Sequence, residues 1–128
     1  MANLIINSTH APAPIGPYSQ AIMADNVLYV SGQIALESTT GNLISDDIEA
    51  ETHQVMKNLL AILQEAGLEF KDVVKCSIFV KDLNNFARIN AVYGSYFPHM
   101  PPARETVEVS RLPKDVNVEI SCIAVKSA

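Results

Sequence analysis

The chain has 128 residues, enough for one domain with a buried core that needs neither disulfides nor metal. Apolar residues make up 48% of it, which excludes the composition of a disordered chain. The formal net charge is −5, and no Lys or Arg precedes Lys57, which weighs against broad nucleic-acid binding.

Leu4-Ile5-Ile6 reads as a short edge strand, followed by a polar, proline-rich turn from Asn7 to Pro17. Tyr18 to Ala24 and Val27 to Gln33 form a predicted hairpin, with Asp25-Asn26 as its turn. A loop holding Thr39, Thr40, Gly41 and Asn42 leads to the first helix. Its inner face is Ile48, Thr52, Val55, Met56, Leu59, Ile62, Leu63 and Ala66, at a 3.6-residue period. Asp46, Asp47, Glu49 and Glu51 crowd its positive N-terminal end, and Gly67 is placed to cap its C-terminus.

Val73 to Val80 is the next strand. Asp82 then caps a second helix with Leu83, Phe86, Ile89, Tyr93 and Phe97 inward, ended by Pro98. Arg104 to Ser110 and Asn117 to Val125 are the last strands. The order β-β-β-α-β-α-β-β makes an α+β sheet with two helices, not an alternating dinucleotide-binding layout. Two helices cover about one sheet face, yet both faces carry apolar side chains. Val74, Cys76, Ile78 and Val80 are expected on one side, Val73 and Phe79 on the other. A symmetric oligomer is the simplest cover for the second face.

Neither a long apolar run nor a basic, apolar leader is present, so a soluble cytoplasmic protein is expected. Cys76 and Cys122 sit among apolar neighbours in strand patterns and read as core thiols. His10, His53 and His99 have no metal-ligand spacing, and no metal site is expected. There is also no phosphate-binding glycine loop, HExxH, CxxC or GxSxG.

What remains is a set of polar residues in strand and helix patterns. Arg104 opens a strand behind Pro101-Pro102, and Glu119 lies between the core positions Val118 and Ile120. A charge on such a strand is costly to bury without a partner or a ligand. Pairing of Arg104 with Glu119 or Glu105 and a pocket for a carboxylated ligand explain it equally well. Ser31-Gly32 ends a strand as an ordinary bulge or as a backbone approach for a ligand. Tyr18 after Gly16-Pro17 has an ordinary turn reading, and Asn90, beside the apolar stripe of the second helix that includes Phe86, an ordinary helix-surface one.

Several motifs carry a resemblance. Gly16-Pro17-Tyr18-Ser19-Gln20-Ala21, Tyr29-Val30-Ser31-Gly32-Gln33-Ile34, Pro102-Ala103-Arg104 and Leu112-Pro113-Lys114-Asp115 running on to Val118-Glu119-Ile120 resemble the hallmark motifs of the Rid family. These are the YjgF-type reactive intermediate deaminases, and the likeness is to their RidA subgroup. It implies a single Rid-type domain over residues 1–128 with a chorismate-mutase-like α+β fold, a six-stranded mixed sheet with two helices on one face.

The resemblance also implies a homotrimer with pockets between subunits and a cofactor-free reaction. That reaction is hydrolysis of 2-aminoacrylate, 2-aminocrotonate and their imines to 2-keto acids and ammonia. Arg104 would grip the substrate carboxylate, and Glu119 would position the attacking water. Gly32 with Ser31 would meet the substrate, and Tyr18, Phe86 and Asn90 would line the pocket. The expected partners are a small carboxylated substrate and further copies of the chain, with no membrane and no nucleic acid.

One departure is Glu105-Thr106, where some relatives carry Ser-Cys. No thiol role applies there, and strand alternation aims Glu105 away from Arg104. Two other functions compete with the deaminase: a non-enzymatic trimeric module that binds small carboxylates, and an endoribonuclease that inhibits translation. The acidic balance and the lack of a basic, aromatic-studded face count against the second.

Overall fold

The computed structural model describes residues 3–127. Its strands are β1 (Leu4–Ile6), β2 (Ala21–Ala24), β3 (Val27–Gln33), β4 (Val73–Val80), β5 (Ala103–Glu108) and β6 (Val118–Val125). The helices are α1 (Ile48–Glu65) and α2 (Phe86–Ser95). All six strands form one sheet in the order β1-β2-β3-β6-β4-β5, with β4 and β5 parallel and the other pairs antiparallel. The last strand in sequence is thus inserted beside the middle of the sheet. Both helices pack on one face, as expected for the α+β class.

Local chemistry explains the element ends. Asp47 caps α1 by accepting from the Ala50 N–H at 2.7 Å. At the other end Gly67 takes φ +77°, and the Leu68 N–H reaches the Leu63 carbonyl at 2.8 Å, closing a Schellman turn. Asp25 turns the β2–β3 hairpin with a left-handed φ of 52°. Asp82 accepts from the Asn84 N–H, but the segment it starts, Leu83–Asn85, is a 3₁₀ turn that leads into α2.

The core lies between the helices and the covered face of the sheet. Val55, Met56, Leu59, Ile62 and Leu63 of α1 meet Leu28, Val30, Ile78, Val80, Val118 and Ile120. Both thiols belong to it. Cys76 and Cys122 stand directly opposite each other on β4 and β6, both free and buried, and burial raises the pKa of each.

Three expectations are corrected. β2 begins at Ala21, not Tyr18, because Gln20 is used as a staple: its side chain bonds the Ser8 N–H and the Ser8 and Pro12 carbonyls. A bulge between Val73 and Lys75 reverses the start of β4, so Val73 is buried and Val74 is 47% exposed. Leu83 and Phe86 do not join the inner face of the second helix; they are 44% and 38% exposed, and Val92 is buried there with Ile89, Tyr93 and Phe97. Glu51 lies in the first turn of α1, as expected, and has a further role there. It is 1% exposed and grips Asn117, accepting from its backbone and side-chain amides at 2.8 Å each.

Among the described residues, no helix covers the second face of the sheet. Ile5, Ile22, Tyr29 and Ile123 run across it in register, and Tyr29 is 50% exposed. Among the described residues, no helix is long and apolar enough to cross a membrane.

Candidate active site

The residues singled out above divide between the two faces of the sheet. Glu119 pairs with Phe79 across β6 and β4, out of phase with buried Val118 and Ile120, and so stands on the open face. It is half-buried, and desolvation raises its carboxyl pKa above the ordinary value. Beside it β3 bulges: Val30 pairs with Cys122 and Gln33 with Ile120, which inserts one extra residue at Ser31-Gly32. The bulge brings the Gly32 backbone against the carboxylate. A Cβ at position 32 would lie 2.6 Å from Glu119 Oε2 and 2.8 Å from its Cδ, so only glycine admits this seating.

A cleft of about 350 Å³ opens above this floor. Ile15, Tyr18, Ile34, Leu36 and Pro113 form its mainly apolar walls, and Ser31, Gly32 and Glu119 lie in it. Tyr18 is held by its phenol oxygen, which accepts from the Ile15 N–H at 3.3 Å, and by its own N–H to Gly16 O at 2.9 Å. The Ser31 hydroxyl donates to the Ser19 carbonyl at 2.6 Å.

Three buried polar side chains hold the walls. Gln20 ties down the segment that carries Pro12. Asn58 of α1 donates to the Ile34 and Leu36 carbonyls, at 2.9 Å each. Glu51 fixes Asn117, two residues before Glu119. Lys114 and Asp115, both at φ 56°, complete the turn behind Pro113, and an Arg111–Asp115 ion pair at 2.7 Å closes it. Left-handed conformations in non-glycine residues cost about 1 kcal/mol or more each, so this rim is held under strain.

Arg104 lies elsewhere. On β5 it pairs with buried Cys76, which puts its side chain on the helix face. There its Nη1 donates to Asn90 Oδ1 at 2.7 Å. The guanidinium carbon is 5.0 Å from the ring centroid of Tyr93 and 5.6 Å from that of Phe86. The ion pairs among the described residues do not include Arg104. Glu105 points to the other face, as alternation predicts, and pairs with Lys75 at 3.0 Å and with the Ser77 hydroxyl.

One protomer therefore brings together Tyr18, Ser31, Gly32 and Glu119, and separately Phe86, Asn90 and Arg104. It does not join the groups. β4 lies between β5 and β6, and the two charges project from opposite faces, which rules out the Arg104–Glu119 ion pair within a chain. No group of three or more His, Cys, Asp or Glu among the described residues is placed to hold a metal.

Sequence reasoning missed Tyr93 as a neighbour of Arg104, and Gln20, Asn58 and Glu51 as supports. Glu51 and Asn58 carried a signal: both fall on the buried stripe of α1 beside Val55 and Leu59, where a polar side chain requires a partner.

The comparisons agree with the motifs. The family model described as Endoribonuclease L-PSP matches residues 8–126. A RutC family protein of Pyrococcus horikoshii is 51% identical over 122 residues, which cover 95% of this chain and 97% of that protein. The mouse 2-iminobutanoate/2-iminopropanoate deaminase is 43% identical over 122 residues, covering 95% and 90%. Among solved structures, E. coli TdcF with bound serine superposes with a TM-score of 0.93 at 40% identity, covering 97% and 99%. With its motifs, its fold and nearly its whole length matched, the chain belongs to the Rid family, the one whose model is described as Endoribonuclease L-PSP.

Proposed function

We propose that this protein hydrolyses reactive enamine and imine intermediates, 2-aminoacrylate, 2-aminocrotonate and their imines, to 2-keto acids and ammonia. The observation that carries the reading is Arg104: a half-buried guanidinium, bonded to the neutral Asn90 and free of any ion pair among the described residues. A cation so held suits an incoming carboxylate, which it can grip through two parallel N–H···O bonds. The deaminase name of the mouse relative and the serine in the TdcF structure point to the same ligand class, a small carboxylated amine.

Glu119 supplies the second half of the chemistry. As a carboxylate it accepts a proton from water and directs the oxygen at the imine carbon. Its raised pKa strengthens it as a base relative to an exposed glutamate. The imine nitrogen takes up a proton, the tetrahedral carbinolamine collapses, and ammonia leaves as the keto group forms. Free imines already hydrolyse in water, so orientation and one activated water supply a sufficient part of the barrier.

The site forms between copies of the chain. The open sheet face, with Ile22, Tyr29 and Ile123 unpartnered, supports a homotrimer in which the Arg104 face of one copy meets the Glu119 cleft of the next. The test is complementation in an assay coupled to a threonine dehydratase. Arg104→Ala and Glu119→Gln are each inactive, but unfolded together at equal amounts and refolded they regain about a quarter of wild-type activity, because random assembly gives that share of sites both intact groups. A mixture as inactive as its components excludes sites shared between copies. Binding of 2-oxobutanoate without any turnover by wild type would favour the non-enzymatic carboxylate-binding module.

A further inference from the structure

We infer that Tyr93 is a positioning residue for Arg104, acting through the face of its ring. The inference rests on the reading of Arg104 as the carboxylate clamp. Phe86, Asn90 and Tyr93 follow one another at four and three residues along α2, so all three project from one side of the helix. Together they form a cradle for a planar cation: one hydrogen bond at its edge and two aromatic rings about it.

The rings differ. Phe86 is 38% exposed and its centroid lies 5.6 Å from the guanidinium carbon, whereas Tyr93 is 4% exposed and lies at 5.0 Å. Cation–π attraction strengthens as water is excluded, so the buried, nearer ring provides most of the hold. An arginine side chain has many rotamers, and a clamp that must be ordered at each binding event loses affinity. Tyr93 restricts Arg104 beforehand, while Asn90 uses only an Nη1 N–H and leaves other guanidinium donors for a ligand.

The hydroxyl of Tyr93 argues for the same division of labour. It is one of two buried side-chain polar atoms without a hydrogen-bond partner among the described residues; the other is Thr106 Oγ1. The Cys76 thiol is its neighbour, and burial pushes the phenol pKa well up, so the group stays neutral. The hydroxyl makes no hydrogen bond to Arg104, whose side-chain bond goes to Asn90. The ring is what touches Arg104.

Graded substitution separates this role from packing. Phenylalanine, and then phenylalanines of increasing ring fluorination, are introduced at position 93 by stop-codon suppression; shape is nearly constant while the negative charge of the ring face falls. Calorimetric binding of 2-oxobutanoate is measured with kcat and KM in the coupled assay. Tyr93→Phe, which keeps the π face and removes only the hydroxyl, is the reference against which the fluorinated rings are read. The trifluorinated ring should weaken 2-oxobutanoate binding and raise KM about three- to tenfold, with kcat within about twofold and melting temperature unchanged. Tyr93→Met, which lacks a π face, should show the same change in Kd and KM, with a lower melting temperature from the smaller side chain.

A fluorination series flat in Kd and KM, in a wild type that does bind 2-oxobutanoate, overturns the role of Tyr93 and leaves the clamp intact. A wild type that does not bind 2-oxobutanoate, together with full activity of Arg104→Ala, removes the clamp reading and this inference with it.

Discussion

The Arg104 cradle and the Glu119 cleft lie on opposite faces of one sheet and are built in opposite ways. Arg104 is surrounded by matched partners: Asn90 Oδ1 accepts a hydrogen bond from it, and Phe86 and Tyr93 present ring faces to its charge. Glu119 is surrounded by apolar walls and the bare backbone of Gly32, and desolvation raises its pKa. The first arrangement keeps a charge ready to bind; the second makes a charge reactive. Their supports differ as well. The cradle comes from α2, whereas the cleft draws on Gln20 just before β2 and on Glu51 and Asn58 of α1.

That contrast can be broken first at Arg104. Arg104→Ala removes the two charge-assisted bonds proposed for the ligand and should lower kcat/KM about 10³-fold, mostly through KM, while circular dichroism and oligomeric state stay as in wild type. Glu119→Gln should instead act on kcat, by about 10²-fold, within the range of acid–base catalysis. Wild-type activity should fall on the acid side as Glu119 takes up its proton above the ordinary carboxylate value, and the variant should lack that limb.

Stability provides a second reading of the same group. Because the folded carboxyl binds its proton more tightly than the unfolded one, wild type loses stability as pH rises from the ordinary value of 4.5 through the raised folded value. Glu119→Gln lacks this slope. Its thermal midpoint should therefore exceed that of wild type at neutral pH and converge with it below pH 4.5.

Smaller perturbations sharpen the comparison. In Gly32→Ala the new methyl must displace the Glu119 carboxylate. Activity should drop about ten- to a hundredfold with 2-oxobutanoate affinity little changed, since Arg104 is untouched. Asn58→Leu strands the Ile34 and Leu36 carbonyls and should cost about 2 kcal/mol in urea unfolding, loosening the cleft without altering the cradle.

Much of this molecule was legible in its residues, but unevenly. α1 was plain because a long 3.6-residue stripe, a cluster of acids at its N-terminal end and a C-terminal glycine all agree. The boundary at Tyr18 and the face of Val74 were not, since a side-chain staple and a single-residue bulge override local alternation. The motif likeness named Arg104 and Glu119, and the structure puts them apart.

By itself, then, the order of residues determined the secondary elements, the α+β class, the family and the chemical types at the site, because those depend on local periodicity and on motif identity. Tertiary structure alone decided that β6 inserts between β3 and β4, that Arg104 and Glu119 occupy opposite faces, and that Tyr93 cradles the cation. Strand order and facing arise from pairings between segments far apart in the chain, and a single bulge is enough to invert them.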